Sequence, residues 1–155
     1  MASVVVGSLM AGQGREAVHQ EPVWRDRSNF IIAAEIPGGG ETKTEQLWGR
    51  QRGGHRFEIC CIPFFVYDLS LGDVVETDED YIVRRVVEPS GRFVFRVWFG
   101  ESFQPRGEIA DELKALGSLV EWSSRNLLAV DAVDGEHAQL VADFLAERER
   151  LGHLV

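Results

Sequence analysis

The chain has 155 residues, 45% of them hydrophobic and 26% charged, with a formal net charge of −9. That size and mixture fit one domain, or two small subdomains sharing a core, and exclude a disordered polymer; no disulfide or metal staple is needed to bury most of the unfolded surface. The sign of the charge argues against a nucleic-acid partner, whose phosphates call for Lys and Arg in place of counterions, and favours a basic protein.

The acidity is unevenly placed. Residues 1–67 balance seven acids against seven Arg or Lys, residues 68–90 carry seven against two, and residues 101–155 eleven against five. Cys60 and Cys61 adjoin, so they close no useful loop with each other, and a reducing, cytoplasmic setting is expected rather than a secreted disulfide framework. The apolar stretch Val4 to Met10 is too short to cross a bilayer and lacks the basic residues that open a signal peptide, so neither secretion nor membrane insertion is expected.

In chain order, residues 1–27 have no sustained period and predict a flexible tail. FIIAAEI (30–36) reads as a strand, followed by a glycine loop; TEQLWGR (44–50) and RFEICCIP (56–63) read as two more strands, separated by QRGGH. DLSLGD has turn composition. YIVRRVV (81–87) and RFVFRVWF (92–99) predict a hairpin across the turn EPSG, the second strand placing Phe93, Phe95, Val97 and Phe99 on one face. RGEIADELKALG predicts an amphipathic helix ending at Gly117, with Ile109, Leu113 and Leu116 on one side. SLVEWSS and LLAVDAV are strands around SSRN, and a last helix starts at Asp134 as N-cap and ends near Gly152.

The expected fold is therefore α+β. A β-rich part over 28–90, with roughly five or six short strands counted through residue 99, forms a small open barrel or strongly twisted antiparallel sheet. A ferredoxin-like strand-helix-strand-strand-helix part over 91–155 packs with it as one globular unit. The segments IPFFVYDLSLGDVV and SGRFVFRVWF resemble the bacterial family known as domain of unknown function 4265, the similarity covering roughly residues 43–150. The resemblance implies no activity, cofactor or catalytic residue, and function has to be weighed from the side chains themselves.

Cys60 and Cys61 sit among Ile59, Ile62 and Phe64, where apolar surroundings raise a thiol pKa and suppress reactivity, and strand alternation keeps them from converging on one ion. They read as core. The glycines of GSLMAGQGREA lack the strand-helix context of a dinucleotide fingerprint. His19, His55, His137 and His153 fall at no metal-ligand spacing, and no serine lies in a nucleophile-elbow motif, so no metal, cofactor or catalytic residue is assigned. The densest charge feature is Asp68, Asp73, Glu76, Asp78, Glu79 and Asp80. It reads as a solvated turn that blunts an edge strand, or as a docking surface for a basic partner with Tyr67, Trp98 and Trp122 as aromatic anchors. The functional expectation is a non-catalytic acidic protein-binding module, most concretely an immunity or antitoxin-type inhibitor. A ligand-sensing regulator using a ferredoxin-like cleft, and an enzyme whose site assembles only in space, are the alternatives.

Overall fold

The computed structural model describes residues 5–6, 15–38 and 40–155. Two sheets and two helices make a mixed α+β architecture. The first sheet is a meander of β3 (Phe30–Glu35), β4 (Thr42–Gln51), β5 (Arg56–Ile59), β6 (Val74–Thr77) and β7 (Val83–Glu88), each antiparallel to the next. Two short strands join it in parallel: β1 (Val5–Val6) against Phe30–Ile31, and β2 (Arg15–Ala17) against the start of β4. Alternation puts Phe30, Ile32, Leu47, Phe57, Ile59 and Val75 on the inner, buried side.

The meander curls until its ends touch at one point. Ala33 and Ile82 form a single parallel bridge, with the Ala33 N–H donating to the Tyr81 carbonyl at 3.0 Å. Downstream of that bridge β3 and β7 separate, so the sheet stops short of a closed barrel and leaves an open seam. Tyr81 holds φ at +61°, the one non-glycine residue with positive φ among the described residues. Its ring packs on Phe30 and His55, which keeps this costly backbone conformation in place.

The second sheet orders β8 (Phe93–Trp98), β10 (Leu127–Ala132) and β9 (Val120–Trp122), with β10 in the middle and antiparallel to both. Helices α1 (Arg106–Ala115) and α2 (Gly135–Arg150) cover one face, where Ile109, Leu113, Val141, Phe144 and Leu145 meet Val97, Phe99, Leu128 and Val130. The Asp134 carboxylate caps α2 by accepting the His137 N–H at 2.8 Å, as the sequence predicts. The other face of this sheet, with Val94, Leu127 and Ala129, packs on Ile62, Phe64 and Leu71. The connection between β5 and β6 is thus the middle layer, pressed between two sheets.

Three sequence expectations change. The predicted 81–99 hairpin does not form: β7 pairs with β6 and β8 pairs with β10 in the other sheet. Val74–Thr77 supplies β7 with a partner across the acidic turn instead. The Asp73 carboxylate takes the Ser90 N–H at 2.8 Å and Gly91, at φ +80°, sends the chain into the second sheet. The strand predicted through Pro63 ends at Ile59: Cys60 still donates its N–H to the Trp48 carbonyl, but from Ile62 onward the backbone N–H groups bond to carboxylate side chains instead of a ladder. Residues 15–27, read as tail, are built into the fold through β2, a buried His19, a buried Pro22 and a 3-10 turn at Arg25–Arg27. The glycines Gly7, Gly12 and Gly14 lie outside the described residues.

Candidate functional site

The middle layer is held by charge rather than by regular structure. The Glu45 carboxylate accepts from the backbone N–H groups of Phe64 (2.7 Å), Phe65 (2.8 Å) and Val66 (3.2 Å). Glu121, from β9, accepts from Ile62 N–H at 2.5 Å. The Arg96 guanidinium, from β8, donates to the carbonyls of Pro63, Phe64 and Val66 at 3.0–3.1 Å. Ile62–Val66 is an irregular, largely buried backbone, which would be costly without partners; three charged side chains supply them.

His19 ties the two carboxylates together. Its Nε2 lies 2.6 Å from Glu45 Oε2 and its Nδ1 2.7 Å from Glu121 Oε1, and its ring stacks on Phe64 at 4.1 Å. A carboxylate only accepts, so an imidazole bonded to one on each nitrogen carries hydrogen on both and is an imidazolium. Burial alone would lower the His19 pKa; the adjacent Cys61, Glu121 and Glu45 outweigh it and hold the value well above the ordinary one. Two carboxylates against His19 and Arg96 make the cluster formally neutral, as a buried group of charges requires.

His19 lies next to Cys61, yet both imidazole nitrogens are occupied, so the ring is not free to take the thiol proton. Burial pushes the Cys61 thiol up, and burial also pushes Cys60 up to about 11. Both cysteines are free and buried. Native protein is expected to resist a thiol reagent at neutral pH and to label fully in denaturant, and Cys60→Ala or Cys61→Ala is expected to lower stability by about 1–3 kcal/mol through lost packing. Labelling of native protein at the rate of a free thiol contradicts this.

The residues that follow the buried segment form one wall of a cleft. Phe65, Val66, Tyr67, Asp68 and Leu69 face Ala34, Glu35 and Pro37 across the open seam, with Val83–Val86 of β7 as the third side; the cavity is about 590 Å³. Tyr67 is 73% exposed, and its ring lies under the Arg96 guanidinium at 4.6 Å. The same arginine therefore fixes the wall's backbone and its exposed aromatic ring.

The acidic residues singled out from sequence divide into groups. Asp68 is exposed at the cleft rim. Asp73 is buried and organises a turn, accepting the N–H groups of Ser70 and Ser90. Glu76 pairs with Arg85 at 3.1 Å and with Arg56 at 3.7 Å. Asp78 accepts from Ile82 and Asp80 N–H and pairs with Arg84, contacts that lower its pKa, the Ile82 hydrogen bond first. Glu79 and Asp80 point to solvent at the hairpin tip. Trp98 and Trp122 are half-exposed on the second sheet, but Trp98 aligns with Leu127 and Trp122 with Leu128, which places them on opposite faces. The structure brings Tyr67 and Asp68 together and leaves the tryptophans away from them. Sequence reading missed Glu45, Glu121, His19 and Arg96; the available signal was parity, since Glu45 shares its strand face with the buried Leu47.

The family model of Domain of unknown function (DUF4265) matches residues 45–155, and the chain belongs to that family. The match starts at Glu45 and takes in Arg96 and Glu121. A solved structure of a hypothetical protein from Neisseria gonorrhoeae is similar at 17% identity and a TM-score of 0.67, covering 80% of this chain and 89% of that one; the likeness is one of fold. No curated protein matches. Among the described residues no helix is long and apolar enough to cross a membrane, and no group of three or more His, Cys, Asp or Glu is arranged to hold a metal ion.

Proposed function

We propose that this member of the DUF4265 family is a non-catalytic protein-binding module with a basic partner, most concretely an inhibitor of the immunity or antitoxin type. The observation that carries this reading is the cleft between β3 and β7. It combines an apolar lining, an exposed tyrosine, and two carboxylates, Glu35 and Asp68, that make no ion pair among the described residues. The side chains best suited to chemistry, His19, Cys61, Glu45 and Glu121, are bonded or packed together beneath the surface, which favours recognition over catalysis.

We assign the C-terminal half to the ferredoxin-like plait, lacking its fourth strand. The antiparallel order β8-β10-β9 with both helices on one face supports this, as does the Val155 N–H, which donates to the Trp98 carbonyl along the edge of β8 at 2.8 Å. Two unpaired thiols fit a reducing, cytoplasmic setting. A small-molecule regulator is the second reading, favoured by a cavity volume within the ordinary range for ligands.

The test is binding kinetics of a partner captured from the host, measured across a salt series. Association is expected to slow as the Debye length falls from ~10 Å at 0.1 M to ~3 Å at 1 M salt. Glu35→Lys with Asp68→Lys is expected to slow it further without loss of fold, since both side chains are exposed. Asp78 is unsuitable for this reversal because it holds its hairpin. A neutral or acidic partner, or kinetics indifferent to salt, overturns the reading; a co-purifying small molecule moves it to the regulator.

A further inference from the structure

We infer that the seam accepts an extended basic peptide segment by strand addition, the incoming chain pairing with the free edge of β7. This deepens the binding function proposed above and rests on it. The first observation is topological. β7 bonds to β6 along one edge, while on its other side, among the described residues, the one bridge to β3 is Ala33–Ile82, immediately before β7 begins. Beyond that bridge, among the described residues, no backbone hydrogen bond leaves the outer edge of Val83–Glu88. An uncovered strand edge is a row of donors and acceptors ready for another chain.

The second observation is direction. At their bridge β3 and β7 run parallel. One strand laid between them and antiparallel to both continues the alternation of the meander and fills the gap that keeps the sheet from closing. Successive side chains of such a strand point to opposite faces, so every second one would meet the apolar lining made by Phe65, Val66, Leu69 and Val86.

The third observation is charge. Arg84 and Arg85 line the cleft but already hold Asp78 and Glu76. Glu35 and Asp68, on the two opposite sides of the cleft, have no cation among the described residues, so the sign left unanswered at the rim is negative. The occupant that fits is an extended segment alternating apolar residues with Lys or Arg.

The probe is a synthetic peptide alternating Val with Lys and Arg over eight residues, compared with the same peptide carrying Glu in place of Lys and Arg, and with two copies N-methylated at alternate residues, one on each edge of the strand. Binding to the full chain is read by fluorescence anisotropy, and amide exchange is read at Arg84–Val87. The basic peptide is expected to bind and to slow exchange at alternate amides of β7. The acidic peptide and the copy methylated on the pairing edge are expected to lose binding by about tenfold or more, and Glu35→Lys with Asp68→Lys to weaken the basic peptide by about tenfold. Binding that survives methylation on either edge, or leaves the β7 amides unprotected, overturns strand addition, as does failure of the basic peptide to bind. If a basic protein partner still binds in a salt-dependent way when the peptide does not, the binding-module reading stands and only its strand-addition form falls. The methylated peptides act on the wild-type chain, so the test holds even where the double substitution fails to fold.

Discussion

Replacing His19 by Ala is expected to lower the free energy of unfolding by about 3–5 kcal/mol, a large part of the roughly 5–15 kcal/mol typical of a domain. The substitution removes the cation between Glu45 and Glu121, two carboxylates that are almost wholly buried, and leaves them facing each other with only Arg96 in compensation. It also opens a gap beside Phe64, on which the imidazole stacks. Denaturant unfolding of both proteins measures the difference. A loss below about 1 kcal/mol would mean that the cluster holds little, since surface substitutions commonly reach half that.

The same histidine gives the stability a pH dependence with a defined sign. The groups facing it are Glu45 from β4, Glu121 from β9, Cys61 from the middle layer and, beyond Glu45, Arg96 from β8. Its folded pKa is raised, so the folded state keeps a proton that the unfolded chain releases near pH ~6.5. The contribution is fully present below that value and is lost progressively as pH rises through the folded pKa, at up to about 1.4 kcal/mol per pH unit. Wild type should therefore lose stability toward alkaline pH more steeply than His19→Ala.

Arg96→Ala is the second substitution with a large expected effect, about 3–5 kcal/mol. It strips a donor from the carbonyls of Pro63, Phe64 and Val66 at once, and removes the second cation of the neutral cluster. Arg96→Lys is not expected to restore stability, because an ammonium cannot reproduce the planar array of donors that spans those three carbonyls. The ring of Tyr67 also loses its cationic cover, so the cleft wall should loosen along with the fold. Full rescue by lysine would reduce the role of Arg96 to charge alone.

Much of the fold was legible where pattern and chemistry agree. The alternation of Phe93–Phe99, the Asp134 cap and the glycines ending both helices located β8, α1 and α2. Pairing was not legible in the same way, because a strand's period names its faces and not its neighbour: β7 could pair across EPSG or across the acidic turn, and the Asp73 bond to Ser90 together with Gly91 at positive φ turns the chain away from the first of these. The two lone cysteines were readable as core from their neighbours. Tyr67 and Asp68 could be chosen for exposure and charge, but the cleft they border depends on where β3 and β7 part, which no local window contains. The buried cluster was hidden for a related reason. His19, Glu45, Arg96 and Glu121 lie on four separate stretches of chain, and apart from the strand parity of Glu45 no local pattern marks them as buried until the fold closes over them.

The claim on which the rest depends is that these four side chains hold Ile62–Val66 in place and so build the cleft wall. Amide hydrogen exchange at Ile62, Phe64, Phe65 and Val66 tests it most directly. In wild type these amides should exchange only through global unfolding, and His19→Ala should speed their exchange more than that of the β10 amides, which bond within their ladder. Fast exchange at Phe64 and Phe65 in wild type, or equal acceleration of both sets in the variant, would contradict the account.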